Sequence, residues 1–296
     1  MIVSTLSNSV SHAETREEGL AKRPLLWLNV LCLDAPAVAI AWQWFFARAF
    51  GVELNPAEAA ALFLTAWGIY LFDRVIDSLR LGDGIEQKLR ERFCRRHRVG
   101  AMILLLLVGL TDVVIVLRFI ERMLLIPGAV VALLVILYLG VNHIWCRVWR
   151  GLPIKELTTG FVFAAGTTFV PLARSSNSPG ALLAVFLFAV VCSINCLSIA
   201  VWEREWDEQR GTCSFAVFLS NAAEHVRALS VVSLILCAIY ALGEARYVSL
   251  GLSLALSALF LLLLQIGGSI RHDERTALAD LVLLTPVLFL VFRTIT

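Results

Sequence analysis

Two pairs of carboxylates, each at a spacing of four residues, close two apolar runs. Asp73 and Asp77 end ALFLTAWGIYLFDRVIDSLR, and Glu203 and Asp207 end NCLSIAVWEREWDEQRGT. Positions i and i+4 share one face of a helix, where like charges repel. A divalent cation relieves that repulsion, and Mg²⁺ takes oxygen ligands, commonly one or two carboxylates plus phosphate oxygens. Two such pairs facing each other across a cavity could hold two cations and a diphosphate. Arg74 lies inside the first pair, Arg210 follows the second, and Lys155 stands at the start of a further apolar run, LPIKELTTGFVFAAGTTF. Asn195, eight residues before Glu203, comes back near the same helix face about two turns away.

The elements that must position these groups are membrane helices. The chain of 296 residues is 59% hydrophobic and 16% charged, against about 45–50% and about 25% for an ordinary soluble domain. A bilayer core needs about 20 apolar residues as helix. Nine runs meet that need, approximately at 25–47, 57–77, 99–118, 123–145, 156–173, 181–202, 226–243, 247–270 and 277–294. The expected fold is an all-α integral membrane protein: a polar N-terminal tail over 1–24, then one membrane domain over 25–296, a nine-helix bundle with a central cavity open toward the cytoplasm. The tail lacks the apolar stretch of a signal peptide.

Orientation follows from the basic residues. With the N-terminus inside, six of the 25 Lys and Arg (Arg48, Arg118, Arg122, Arg174, Arg246 and Arg293) fall outside and the other 19 inside. This puts the C-terminus outside and both acidic pairs on the cytoplasmic side of a cell inner membrane. Carboxylates at membrane depth cost about 2.5–3.5 kcal/mol at a helix centre, less toward its ends, and tend to mark function. The basic run RERFCRRHR reads as a contact with anionic lipid headgroups, and no nucleic-acid partner is expected. The seven cysteines have no zinc-ligand spacing and read as small apolar side chains.

DRxxD after the second run, paired with an acidic residue, xxx, Asp, xxx, Gly after the sixth, resembles the UbiA-type intramembrane prenyltransferases. LPIKELTTGFVFAAGTTF looks like the start of that family's fifth helix, and Arg23-Pro24 looks like its RP near the first. The likeness covers the chain from about residue 20 onward. It implies a nine-helix fold in which Mg²⁺ on Asp73, Asp77, Glu203 and Asp207 binds a prenyl diphosphate. Arg74, Lys155 and Arg210 would hold the diphosphate, and Asn195 would line the substrate site. As the diphosphate leaves, an allylic cation forms and a second substrate, often an aromatic ring, attacks it.

The sequence departs from that pattern where the family's first motif carries Asn and this chain has Ile69, and where Glu203 stands for the usual Asp. These departures motivate a second reading, an isoprenoid- or lipid-binding protein without transfer. An ion-coupled transporter is a third, although its carboxylates would belong near the midplane of broken helices. Asp34, in the first run beside Pro36, reads as a helix-pairing group or as a residue facing a substrate.

Overall fold

The computed structural model describes residues 24–80, 89–144, 152–175, 178–211, 214–267, 270 and 272–293. The tail expected over 1–24, apart from Pro24, therefore lies outside the described residues, as do Arg23 and the connections at 81–88 and 145–151. Among the described residues the protein is all-helical: α1 Pro24–Val30, α2 Asp34–Phe50, α3 Pro56–Arg80, α4 Leu89–Arg96, α5 Arg98–Phe119, α6 Arg122–Ile144 and α7 Ile154–Ala173 are followed by α8 Pro179–Trp202, α9 Arg204–Arg210, α10 Phe215–Phe218, α11 Ala222–Gly243, α12 Val248–Ile266, α13 His272–Leu281 and α14 Thr285–Arg293. Three-residue 3₁₀ turns lie at Ala245–Tyr247 and Val282–Leu284.

Local chemistry explains the ends. Before α3, the Asn55 side chain accepts from the Ala57 amide while Glu58 accepts from the Asn55 amide, a reciprocal cap ahead of Pro56. Ser178 caps α8 by accepting from the Ala181 amide, with Pro179 at the first helical position. Gly51 and Gly211 take left-handed conformations that close α2 and α9.

Among the described residues, six helices are long and apolar enough to cross a membrane: α3, α5, α6, α8, α11 and the helix ending at Ile266. This is the signature of an integral membrane protein. The three other expected spans differ for physical reasons. The first is broken at Leu31–Leu33 into α1 and α2, and the last into α13, a 3₁₀ turn and α14. The fifth, α7, is one continuous helix, but Lys155, Glu156 and four threonines dilute its apolar character.

The most central helix is α8, 61% of whose apolar window is buried, against 6% for α5 and α6. Phe188 of α8 stacks on Trp42 of α2 with ring centroids 4.5 Å apart, and both are fully buried. Such aromatic pairs add about 0.5–1.5 kcal/mol beyond area burial. Trp42 also donates from Nε1 to the Leu283 carbonyl at 2.7 Å, one of the carbonyls in the 3₁₀ turn of the broken last element. Close contact between α7 and α8 requires Gly160, where a Cβ would overlap the backbone of Ser193. Gly166, on the same helix, has nothing within 4 Å of such a Cβ. Gly160→Ala is expected to lower the unfolding midpoint of the detergent-solubilised protein by an overpacking cost of about 1–3 kcal/mol, and Gly166→Ala to leave it unchanged. Equal behaviour of the two would contradict the α7–α8 packing.

Candidate functional site

The residues singled out in sequence come from three helix ends: the C-terminal part of α3, the N-terminus of α7 and the C-terminus of α8 continuing into α9. Ion pairs tie the α8–α9 end to α4. Arg90 Nη2 lies 2.8 Å from Glu203 Oε1. Arg210 holds Glu91 with both arms, Nη1 to Oε1 at 2.7 Å and Nη2 to Oε2 at 2.8 Å. The Glu91 side chain is only 3% exposed, and a fork of this kind is the strong form of the Arg–carboxylate contact. It raises the Arg210 guanidinium above its ordinary value, outweighing the opposite effect of burial. The apolar side of α4 seats Phe93 edge-on against Trp27 of α1, centroids 5.8 Å apart, and buries Cys94.

Arg74 lies within electrostatic reach of Asp73 and Asp77 on its own helix and of Glu203 from α8. Lys155 lies within reach of Asp73 and of Asp207. Each of these two cations is thus within electrostatic reach of a carboxylate from both acidic pairs. The Nε atoms of Arg74 and Arg90 are buried and make no hydrogen bond within the protein, and guanidiniums of this kind suit phosphate oxygens.

Among the described residues, no group of three or more His, Cys, Asp or Glu side chains comes together as a complete metal-ligand set. The fit to Mg²⁺ rests on a smaller requirement, since that ion keeps several waters and binds through one or two carboxylates plus phosphate oxygens. Each motif offers two carboxylates, and the flanking cations suit the phosphates.

Deeper in the bundle, Asn195 does not point at the second motif. Its Nδ2 donates to Asp280 Oδ1 at 2.8 Å. Asp280, on α13, lies within electrostatic reach of Asp34, Arg90 and Glu203. Asp34 begins α2 and accepts from Asn29 Nδ2 at 2.7 Å across the break in the first element. Asn195 and Asp280 line a cavity of ≈ 20 Å³ with Tyr70, Thr159 and Cys196. That is room for a water-sized group. Sequence reasoning passed over Asp280, Arg90, Glu91 and Tyr70. Asp280 had a legible signal, a lone carboxylate in TALADLVLL. Arg90 and Glu91 had none, because pairing across 113 and 119 residues leaves no local pattern.

At the other end of the bundle, Arg174 pairs with Glu58 at 2.6 Å and with Glu121 at 2.8 Å. These contacts clamp the ends of α3, α6 and α7 and lie apart from the acidic motifs. Asp112 of α5 accepts from Thr65 of α3 at 2.6 Å.

No family model matches the chain, and no curated protein matches it.

Removing Arg210 takes a two-armed partner from the buried Glu91 carboxylate. Arg210→Gln is expected to cost about 1.5–3 kcal/mol, read as a fall in unfolding midpoint. Glu91→Gln combined with Arg210→Gln should recover part of that loss. Simple addition of the two single effects would show that the pair does not hold α4 to α9.

Proposed function

We propose that this protein is a Mg²⁺-dependent membrane prenyltransferase resembling the UbiA type, moving a prenyl group from a prenyl diphosphate to a second substrate. One observation carries the reading: Arg74 and Lys155 are each within electrostatic reach of a carboxylate from both acidic pairs, drawn from α3 and from α8–α9, at one end of an apolar bundle. In this reading the chain crosses the bilayer nine times. The broken first and last elements and α7 complete the six long helices, the N-terminus is cytoplasmic, the C-terminus is outside and the motifs face the cytoplasm.

Asp73, Asp77, Glu203 and Asp207 would hold the metal, which when bound supplies positive charge against the departing diphosphate. Arg74 and Lys155 bind phosphate oxygens and meet the negative charge where it grows. Glu203 leaves Arg90, whose guanidinium then becomes available to the phosphate. Arg210 holds Glu91, so its part is to seat α4 over the site and exclude water. A prenyl tail is larger than the ≈ 20 Å³ cavity beside Asn195, which could therefore take only a small end of a ligand. An isoprenoid-binding protein without transfer would use the same groups without turnover.

A specific observation favours one further reading. Both broken elements carry a carboxylate at or beside the break, Asp34 and Asp280, within electrostatic reach of each other. Broken helices with central carboxylates are a transporter device. Substrate uptake into proteoliposomes that requires an ion gradient would support that reading over transfer.

The deciding experiment is binding and turnover of geranyl diphosphate by the purified protein in nanodiscs, with Mg²⁺ or with EDTA. Wild type is expected to bind only with Mg²⁺. Asp73→Ala and Asp207→Ala are expected to weaken binding by about 2–5 kcal/mol, roughly 30-fold or more. Binding indifferent to EDTA and to both substitutions would sink the metal–diphosphate reading.

A further inference from the structure

The cavity beside Asn195 has a chemical polarity of its own. Asn195 is 4% exposed, and its amide nitrogen is committed to Asp280 Oδ1. In the structure it is the amide nitrogen that faces Asp280, as suits an accepting carboxylate oxygen. The Asn195 carbonyl oxygen is then left over: it is buried and has no hydrogen-bond partner, although Asn195 lines the cavity. An unused acceptor this deeply buried carries a penalty that a bound donor removes.

The surroundings restrict the donor further. The cavity's ≈ 20 Å³ admits one or two non-hydrogen atoms, and Ala35, Val38, Phe163 and Leu283 form its apolar walls. A ligand would thus put a small polar end among Asn195, Asp280 and Thr159 and keep an apolar body along the helices. The position matches the proposed site of diphosphate departure. Asn195 is eight residues, about 12 Å of helix, from Glu203, and Tyr70 is three residues, about 4.5 Å, from Asp73. A group seated here lies one to two helical turns inward from the motifs, on the side into which a prenyl chain would extend.

We propose that this cavity is a subsite for the hydroxyl end of an apolar second substrate, with Asn195 Oδ1 accepting its hydrogen bond and Asp280 holding the Asn195 amide in register. Asn195 is the binding residue and Asp280 a positioning residue. The assignment of this ligand as the second substrate rests on the prenyl-transfer reading, whereas the hydroxyl preference follows from the cavity alone.

The test compares 4-hexylphenol with its methyl ether, 4-hexylanisole, binding to the full chain in nanodiscs, with empty nanodiscs as the blank. The two probes share body and ring; the ether lacks the donated proton and adds a methyl, so 1-fluoro-4-hexylbenzene, which lacks both, is measured beside it and must also bind more weakly than the phenol. Wild type is expected to prefer the phenol by about tenfold, the worth of one buried hydrogen bond. Asn195→Leu should erase the preference. Asp280→Leu should weaken it and Asp280→Asn restore part of it, because an amide oxygen still accepts from Asn195. Geranyl diphosphate binding with Mg²⁺, measured on wild type in the same nanodiscs, tests the underlying reading separately. Donor binding with equal affinity for phenol and ether overturns the subsite and leaves the cavity as a place for a buried water only. Absent donor binding overturns the prenyl-transfer reading, and the phenol–ether comparison still decides the subsite. That comparison needs no substitution, so a variant that fails to fold does not obscure the result.

Discussion

A lipid interior offers no water to a free backbone carbonyl, so any helix interrupted there must find partners within the protein. Two elements of this protein are interrupted, and their partners organise the rest. At the first break Cys32 takes a left-handed conformation, of the kind that costs of order 1–3 kcal/mol. Trp67 of α3 donates to the exposed Leu31 carbonyl at 2.9 Å, and Leu33 donates its amide back to Leu28. At the last break Trp42 reaches the Leu283 carbonyl, while the Thr285 hydroxyl meets those of Ser253 and Ser257 at 2.8 and 2.7 Å. Two indole donors thus stitch the broken first and last elements into the bundle. The breaks bring Asp34 and Asp280, from opposite ends of the chain, to the same buried neighbourhood.

The charged end obeys a second constraint, that carboxylates held close together in a low-dielectric setting need opposite charge near them. Here the compensation is shared across elements. Arg74 answers to Asp73, Asp77 and Glu203, Lys155 to Glu156, Asp73 and Asp207, and Arg90 and Arg210 pin the short helix α4 across the same surface. A site balanced in this way can take up a metal and an anion together, since the pair adds little net charge.

The helices were legible in the sequence because their signal is local: α5, α6, α8 and α11 are long unbroken apolar runs. The breaks were not. LNVLCLDAP carries only a proline and an aspartate as warning, and LVLLTPVLF keeps its hydropathy straight through the 3₁₀ turn at Val282–Leu284. The acidic pairs were visible because i, i+4 spacing is a local fact. Asn195 illustrates the limit. Its register along α8 was readable, but its partner Asp280 lies 85 residues away, and no spacing rule spans that distance. Glu203 and Arg210 likewise looked like groups waiting for a ligand, because their partners Arg90 and Glu91 belong to a connection whose helix is too short and polar to stand out.

The sparse burial of α5 and α6 has a consequence for how the protein is made. Only 6% of each apolar window is buried, so most of each helix is apolar surface that can settle in lipid before the rest of the bundle exists. Helix α7 follows them with Lys155 and Glu156 in its first turn, and its Gly160 closes against Ser193 of α8, which is synthesised later. Assembly therefore has a built-in order: two self-inserting helices first, then a pair whose closest contact forms only once both are made.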